Sequence, residues 1–258
     1  MSQEEAISLD TIRQELASIK QDLSVLHEQG KTLIGNQQVL QNDIRSGVFY
    51  KNAQTLLSEA HHISMVQSCE FIAKNMYNAR IFSDRMDLLR KALQATDGDG
   101  LYLEFGVFQG ESINIIAKEM PLKTIYGFDS FEGLPEEWTA GTEKGTFNVG
   151  GNLPTVENNV HLVKGWFDAT LPQFLDEHKE PCNFIHVDCD LYSSTKTVFN
   201  LLKERIVPGT QIVFDEYFNY IGWQEGEHKA FQEFIEETHL HFKYIGYSTM
   251  QVGVSIVE

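Results

Sequence analysis

The chain has 258 residues, 42% of them hydrophobic, with 20 basic and 37 acidic residues and a formal net charge of −17. That length supports one domain with a sizeable core and an appendage, and the acidic balance argues against nucleic acid, whose phosphates need clustered Lys and Arg. Cys69, Cys182 and Cys189 form no CxxC pair, which fits a reducing compartment without structural zinc. There is no apolar run of the length a membrane span needs. The opening MSQEEAISLD lacks the basic and apolar regions of a signal peptide, so a cytoplasmic location is expected.

In chain order, Leu9, Ile12, Leu16, Ile19, Leu23, Leu26, Leu33, Leu40 and Ile44 repeat in steps of three and four, with Gly30 and Gln37 filling the remaining seam positions. This heptad pattern predicts a coiled coil over 1–46 and a homo-oligomer formed through it. Gly30 is expected to interrupt the helix. The competing reading is a single amphipathic helix lying on its own domain. Residues 46–96 read as further helix punctuated by Gly47, and 47–97 as a helical cap. The run Asp97, Gly98, Asp99, Gly100 marks a turn.

From residue 98 the pattern alternates. LYLEFGV, TIYGFD, HLVKG, NFIHVD and QIVFDE read as strands. Helices are expected at 111–120, 168–178, 193–205 and 226–238, and two strands around a turn near Tyr247 close the chain. Strands alternating with helices predict an α/β fold with a mostly parallel Rossmann-like sheet. The terminal hairpin adds an antiparallel last strand.

Glu104-Phe105-Gly106-Val107-Phe108-Gln109-Gly110-Glu111-Ser112 follows the first of these strands and opens a helix. Ligands of such sheets bind at strand carboxyl ends beside helix N-termini. Gly106 and Gly110 allow a tight turn close to a ligand. Glu104 suits an ammonium, and Ser112 with the helix N-terminus suits a carboxylate. Those are the two ends of the methionine half of S-adenosylmethionine. The dinucleotide alternative wants GxGxxG; here Phe108 stands at the second glycine and would crowd the phosphates. Asp129, with Ser130, ends the next strand and suits ribose hydroxyls, or caps the following turn. Trp166 and Phe167 suit adenine, with Asp168 near its amino group; core packing competes.

Two neighbouring strands end in carboxylates, Asp188 and Asp190 on one, Asp215 and Glu216 on the other. Charges at buried strand ends are costly unless paired or metal-bound. With no convergent Lys or Arg evident, a hard divalent cation, Mg²⁺ first, is expected on Asp188, Asp215 and Glu216. N-capping of two helices competes. A cation can acidify an acceptor hydroxyl. Asp188 is the first candidate for general base, and Asp190 and His228 are the others. His186, inside a strand, reads as a structural hydrogen-bonder.

EFGVFQGES, YGFDSFEGLPE, VKGWFDATLP, IHVDCDLYSST, VFDEYF and GWQEGEHKAF resemble the macrocin O-methyltransferase family of class I S-adenosylmethionine-dependent methyltransferases, over about residues 80–255. The resemblance implies O-methylation of a sugar hydroxyl on a glycoside, polysaccharide or nucleotide sugar, with S-adenosylmethionine and Mg²⁺. It places Glu104, Gly106, Ser112, Asp129, Phe167 and Asp168 at the cofactor, and Asp188, Asp215 and Glu216 at the metal. Glu216 stands where the family often has aspartate, and Cys189 where glycine is common. The heptads lie outside the resemblance and keep open a second reading, a non-catalytic cofactor-binding or scaffold protein. Segment 134–158, rich in Gly, Thr and Asn, has the composition of a substrate-side lid.

Overall fold

The computed structural model describes residues 9–46, 53–139 and 141–258; Gly47 lies outside them. Two compact units result, Met1–Glu59 and Ala60–Glu258. The first contains helix α1 (Leu9–Ser46). It runs unbroken through Gly30, contrary to expectation. One helical glycine costs only about 1 kcal/mol relative to alanine, too little to break a long helix.

Helix α2 (Ala53–Asn75) precedes a two-residue strand β1 (Arg80–Ile81) and helix α3 (Arg85–Leu93). The expected continuous helix over 46–96 is therefore interrupted. Helix α2 ends at Asn75 and β1 follows; Asp84 then starts α3, its extended backbone preceding the helix and its side chain accepting from the Met86 N–H, an N-cap worth about 1 kcal/mol. Most of α2, together with α3, falls in the same unit as the sheet.

The sheet is built from β2 (Leu101–Phe105), β3 (Ile125–Asp129), β4 (Val160–Lys164), β5 (Cys182–Val187), β6 (Gln211–Phe214), β7 (His241–Tyr247) and β8 (Val252–Val257), with β1 on its edge. Strand order is β1-β7-β8-β6-β5-β2-β3-β4. β8 alone runs antiparallel to its neighbours; the other pairs are parallel. Helices α4 (Glu111–Glu119), α5 (Phe167–Glu177), α6 (Tyr192–Leu202) and α7 (Glu227–Thr238) connect them. This is the expected mixed, mostly parallel Rossmann-like sheet.

Residues 101–105 of β2 are buried throughout, as a central strand covered on both faces must be. One face packs Phe105, Phe128, Leu171, Val198, Phe199 and Phe231; the other packs Leu89, Tyr102, Ile113, Ile116 and Phe184. From β2 the chain builds β3 and β4 on one side, then crosses back to add β5 on the other side of β2. Such a switch point opens a crevice beyond the strand ends.

Candidate active site

That crevice is a cavity of about 670 Å³. The turn after β2 forms one wall. Gly106 has φ +93°, and a Cβ there would lie 1.6 Å from the Asp188 carbonyl oxygen. Only glycine lets the turn pass so close to the end of β5. Asp129 ties the turn to β3: one oxygen accepts from Val107 N and Phe108 N, both at 2.8 Å, and the other from Phe131 N at 2.7 Å. Its carboxylate borders the cavity, but three backbone amides already occupy it.

Gly106, Phe108, Ser112, Asp129, Ser130, Trp166, Phe167, Asp168, Asp188, Asp190, Asp215 and Glu216 all line this one cavity. Val107, Leu134, Pro135 and Phe147 extend the wall toward segment 134–158, where Phe147 sets its ring edgewise to Phe108 at 5.5 Å. Trp166 is 40% exposed. Phe167 turns instead toward the core and packs edgewise on Phe105 at 5.3 Å.

Three expected site residues stand off the wall. Gly110 serves as the left-handed residue capping α4. Glu104 is fully buried and absent from the lining. Its two oxygens meet His186 Nδ1 at 3.0 Å and the Ser112 hydroxyl at 3.1 Å. Direct contact with a ligand ammonium is therefore not what its position offers; it acts through Ser112, which does face the cavity. Burial raises the Glu104 pKa. Burial alone would lower that of His186, but the Glu104 bond and charge, with Asp188 and Asp215 beyond, raise it to about 9. Both shifts favour keeping a proton on the pair. Replacing Glu104 with leucine strands a buried charge, so unfolding free energy is expected to fall by about 3–5 kcal/mol in denaturant titration.

His228 is the third. It sits in an aromatic box, its ring 5.1 Å from Phe71 and 4.9 Å from both Tyr217 and Trp223. Neither ring nitrogen has a hydrogen-bond partner. Burial lowers its pKa from 6.5 to about 4, so it is a neutral packing residue and not a base at the site. Its folded pKa is depressed, so stability is full above about pH 6.5 and falls as the unfolded chain takes up a proton toward pH 4. From pH 7 to pH 5 this costs about 1–2 kcal/mol. His228→Phe is expected to flatten that loss in denaturation curves at the two pH values.

The floor is acidic. Asp190, Asp215 and Glu216 are buried, and Glu227 behind them is completely so. Burial, then the charge of Asp215, raises Asp188 well above the usual carboxylate range and brings Asp190 to about 7. Glu216 is raised by burial and by Asp188. Asp190 has φ +61°, a left-handed conformation that a non-glycine residue adopts at a cost. Glu227 accepts from Cys189 N at 3.4 Å and Glu216 N at 3.3 Å, joining the loops after β5 and β6 from beneath.

Arg85, the first residue of α3, corrects the expectation that no cation converges here. Its Nη1 lies 3.1 Å from both oxygens of Asp215 and its Nη2 3.0 Å from Glu111. Donor atoms of His186, Asp188 and Asp215 lie within 4.8 Å of one another. His186 Nδ1 is taken by Glu104. Glu216 borders the cavity beside them with its Oε2 buried and unbonded. Arg85 and Glu227 were not legible as site residues. Arg85 is 130 positions from its partner Asp215, and Glu227 reads in sequence as an ordinary helix-start acid.

Residues 103–217 match the family described as a methyltransferase domain. Among curated proteins, uncharacterized protein R132 of Acanthamoeba polyphaga mimivirus is 27% identical over 158 residues, 60% of this chain and 68% of that protein. Among solved structures, the calicheamicin methyltransferase CalS11 superposes with TM-score 0.52 at 22% identity, over 66% of this chain and 76% of its own. The O-methyltransferase NovP superposes with TM-score 0.51 at 20% identity, over 67% and 80%. The matched segment runs from β2 to just past β6 and carries the turn, Asp129, the Trp166 loop and the acidic floor. Residues 103–217 are thus similar to a methyltransferase domain, on a Rossmann-like fold shared with these two solved structures.

Proposed function

We propose that the protein transfers the methyl group of S-adenosylmethionine to a hydroxyl of a sugar-bearing acceptor, with a divalent cation, Mg²⁺ first, held at Asp188, Asp215 and Glu216. The observation that carries this is the acidic floor. Four carboxylates on the cavity floor, Asp188, Asp190, Asp215 and Glu216, with Glu227 behind them, are met among the described residues by Arg85 and His186. Buried like charges are costly without compensation, and the unbonded Glu216 Oε2 has the hard oxygen chemistry that Mg²⁺ prefers. When bound, the cation supplies charge that orients and acidifies an alcohol.

The chain's own residues do the rest. The α4 N-terminus receives the methionine carboxylate, Ser112, whose proton goes to Glu104, offers its lone pairs to the ammonium, and Ser130 and Asp129 border the ribose position. Trp166 offers a face for adenine, with Asp168 beside it. Asp188, with Asp190 beside it, takes the hydroxyl proton as general base. The displacement is at carbon, so holding donor and acceptor in line supplies much of the rate. The sugar acceptor rests on the motif resemblance, chiefly YGFDSFEGLP and HVDCDLYSST.

The test is methyl transfer from labelled S-adenosylmethionine to glycosides, polysaccharides and nucleotide sugars, with Mg²⁺ and with EDTA. Label on a sugar oxygen, lost on chelation, is expected. Transfer indifferent to EDTA removes the cation; transfer to nitrogen or carbon, or to non-sugar alcohols alone, removes the acceptor class.

A further inference from the structure

We infer that α1 is the interface of a parallel, in-register assembly of more than two copies of this chain. Ile12, Leu16, Ile19, Leu23, Leu26, Leu33 and Leu40 share one stripe, and all are exposed, Leu33 at 71%. A stripe this long and apolar is beyond what a lone helix carries without a partner, and its strict seven-residue repeat is the signature of a like helix winding around it.

Leu16, Leu23, Gly30 and Gln37 take the a positions, and Ile12, Ile19, Leu26, Leu33 and Leu40 the d positions. The flanking charges then sort by side. Arg13, Lys20 and His27 fall at e; Glu15 and Asp22 fall at g. In a parallel, in-register assembly, g of one copy meets e of the next heptad on its neighbour. That sets Glu15 beside Lys20 and Asp22 beside His27, acid against base both times. An antiparallel pair sets e against e and g against g, and makes neither pair.

The layers point to the number of chains. Leu16 at a with Ile12 and Ile19 at d is the arrangement that shifts parallel coils from two strands to three or four, because a β-branched d side chain does not fit a dimer layer. Ile34 at e and Val25 and Val39 at c are also exposed. They widen the apolar face beyond the narrow seam of a dimer.

Light scattering of the full chain is expected to give three or four copies. Leu23→Glu with Leu26→Glu is expected to give monomers whose Ala60–Glu258 unit keeps its S-adenosylmethionine binding and melting transition. With the exposed Cys69 replaced by serine, Leu16→Cys is expected to cross-link between chains under mild oxidation, since matching a positions face each other only in parallel register. A monomeric wild type, an assembly that survives the double substitution, a dimer, or an assembly that fails to cross-link each overturns the inference.

Discussion

Asp188→Asn is expected to lower kcat/KM for methyl transfer by about 10³-fold or more, combining loss of a proton acceptor with loss of a cation ligand. The same variant is expected to be at least as stable as the wild type. Asp188 is half-buried, and desolvation, then the charges of Asp215 and Glu104, push its pKa well up. Neutralising one member of a repelling set relieves strain that the fold otherwise carries for function. Steady-state kinetics and a thermal melt on one preparation test both halves. Activity within tenfold of wild type would remove Asp188 from the reacting centre. Lost activity with a melt lowered by several degrees would make its role structural.

The largest stability effect is expected at Gly106. Alanine there places Cβ 1.6 Å from the Asp188 carbonyl oxygen at φ +93°, so β5 must move or the turn must open. Both are fixed elements of the sheet, and the cost is expected to exceed about 4 kcal/mol, enough to abolish soluble folded protein in many domains. Gly98→Ala is the control. Its φ is similar, +86°, but nothing lies within 4 Å of the added Cβ, so only the backbone preference of about 1–2 kcal/mol is lost. Urea midpoints for the two variants separate steric overlap from backbone strain. Equal midpoints would mean the turn has room that its geometry denies.

Much of the fold is legible in the residues. Buried parallel strands announce themselves as short apolar runs, and each here ends in the residues that line the cavity: Gly106, Asp129, Asp188 and Asp215. What sequence conceals is the partner of each charge. Glu104 sits in the right motif, yet its carboxylate is claimed by His186, a residue 82 positions away on the adjoining strand. Asp129 is spent on three amides of its own turn and the neighbouring one. His228 occupies a suggestive motif, and only the aromatic rings around it reveal that it is packing. Arg85 comes from a stretch that reads as uninterrupted helix, and it opens a separate helix that starts at the Asp84 cap. In each case strand pairing or helix docking decides the outcome, and single-sequence periodicity carries neither.

This cavity is expected to hold S-adenosylmethionine. Calorimetric titration with S-adenosylmethionine of the wild type and of Asp168→Ala, an exposed residue on the cavity rim, tests it directly. One site per chain with affinity in the micromolar range is expected, weakened about tenfold or more in the variant while its melting transition is unchanged. No heat of binding in the wild type, with or without Mg²⁺, or equal affinity in both proteins, would contradict it.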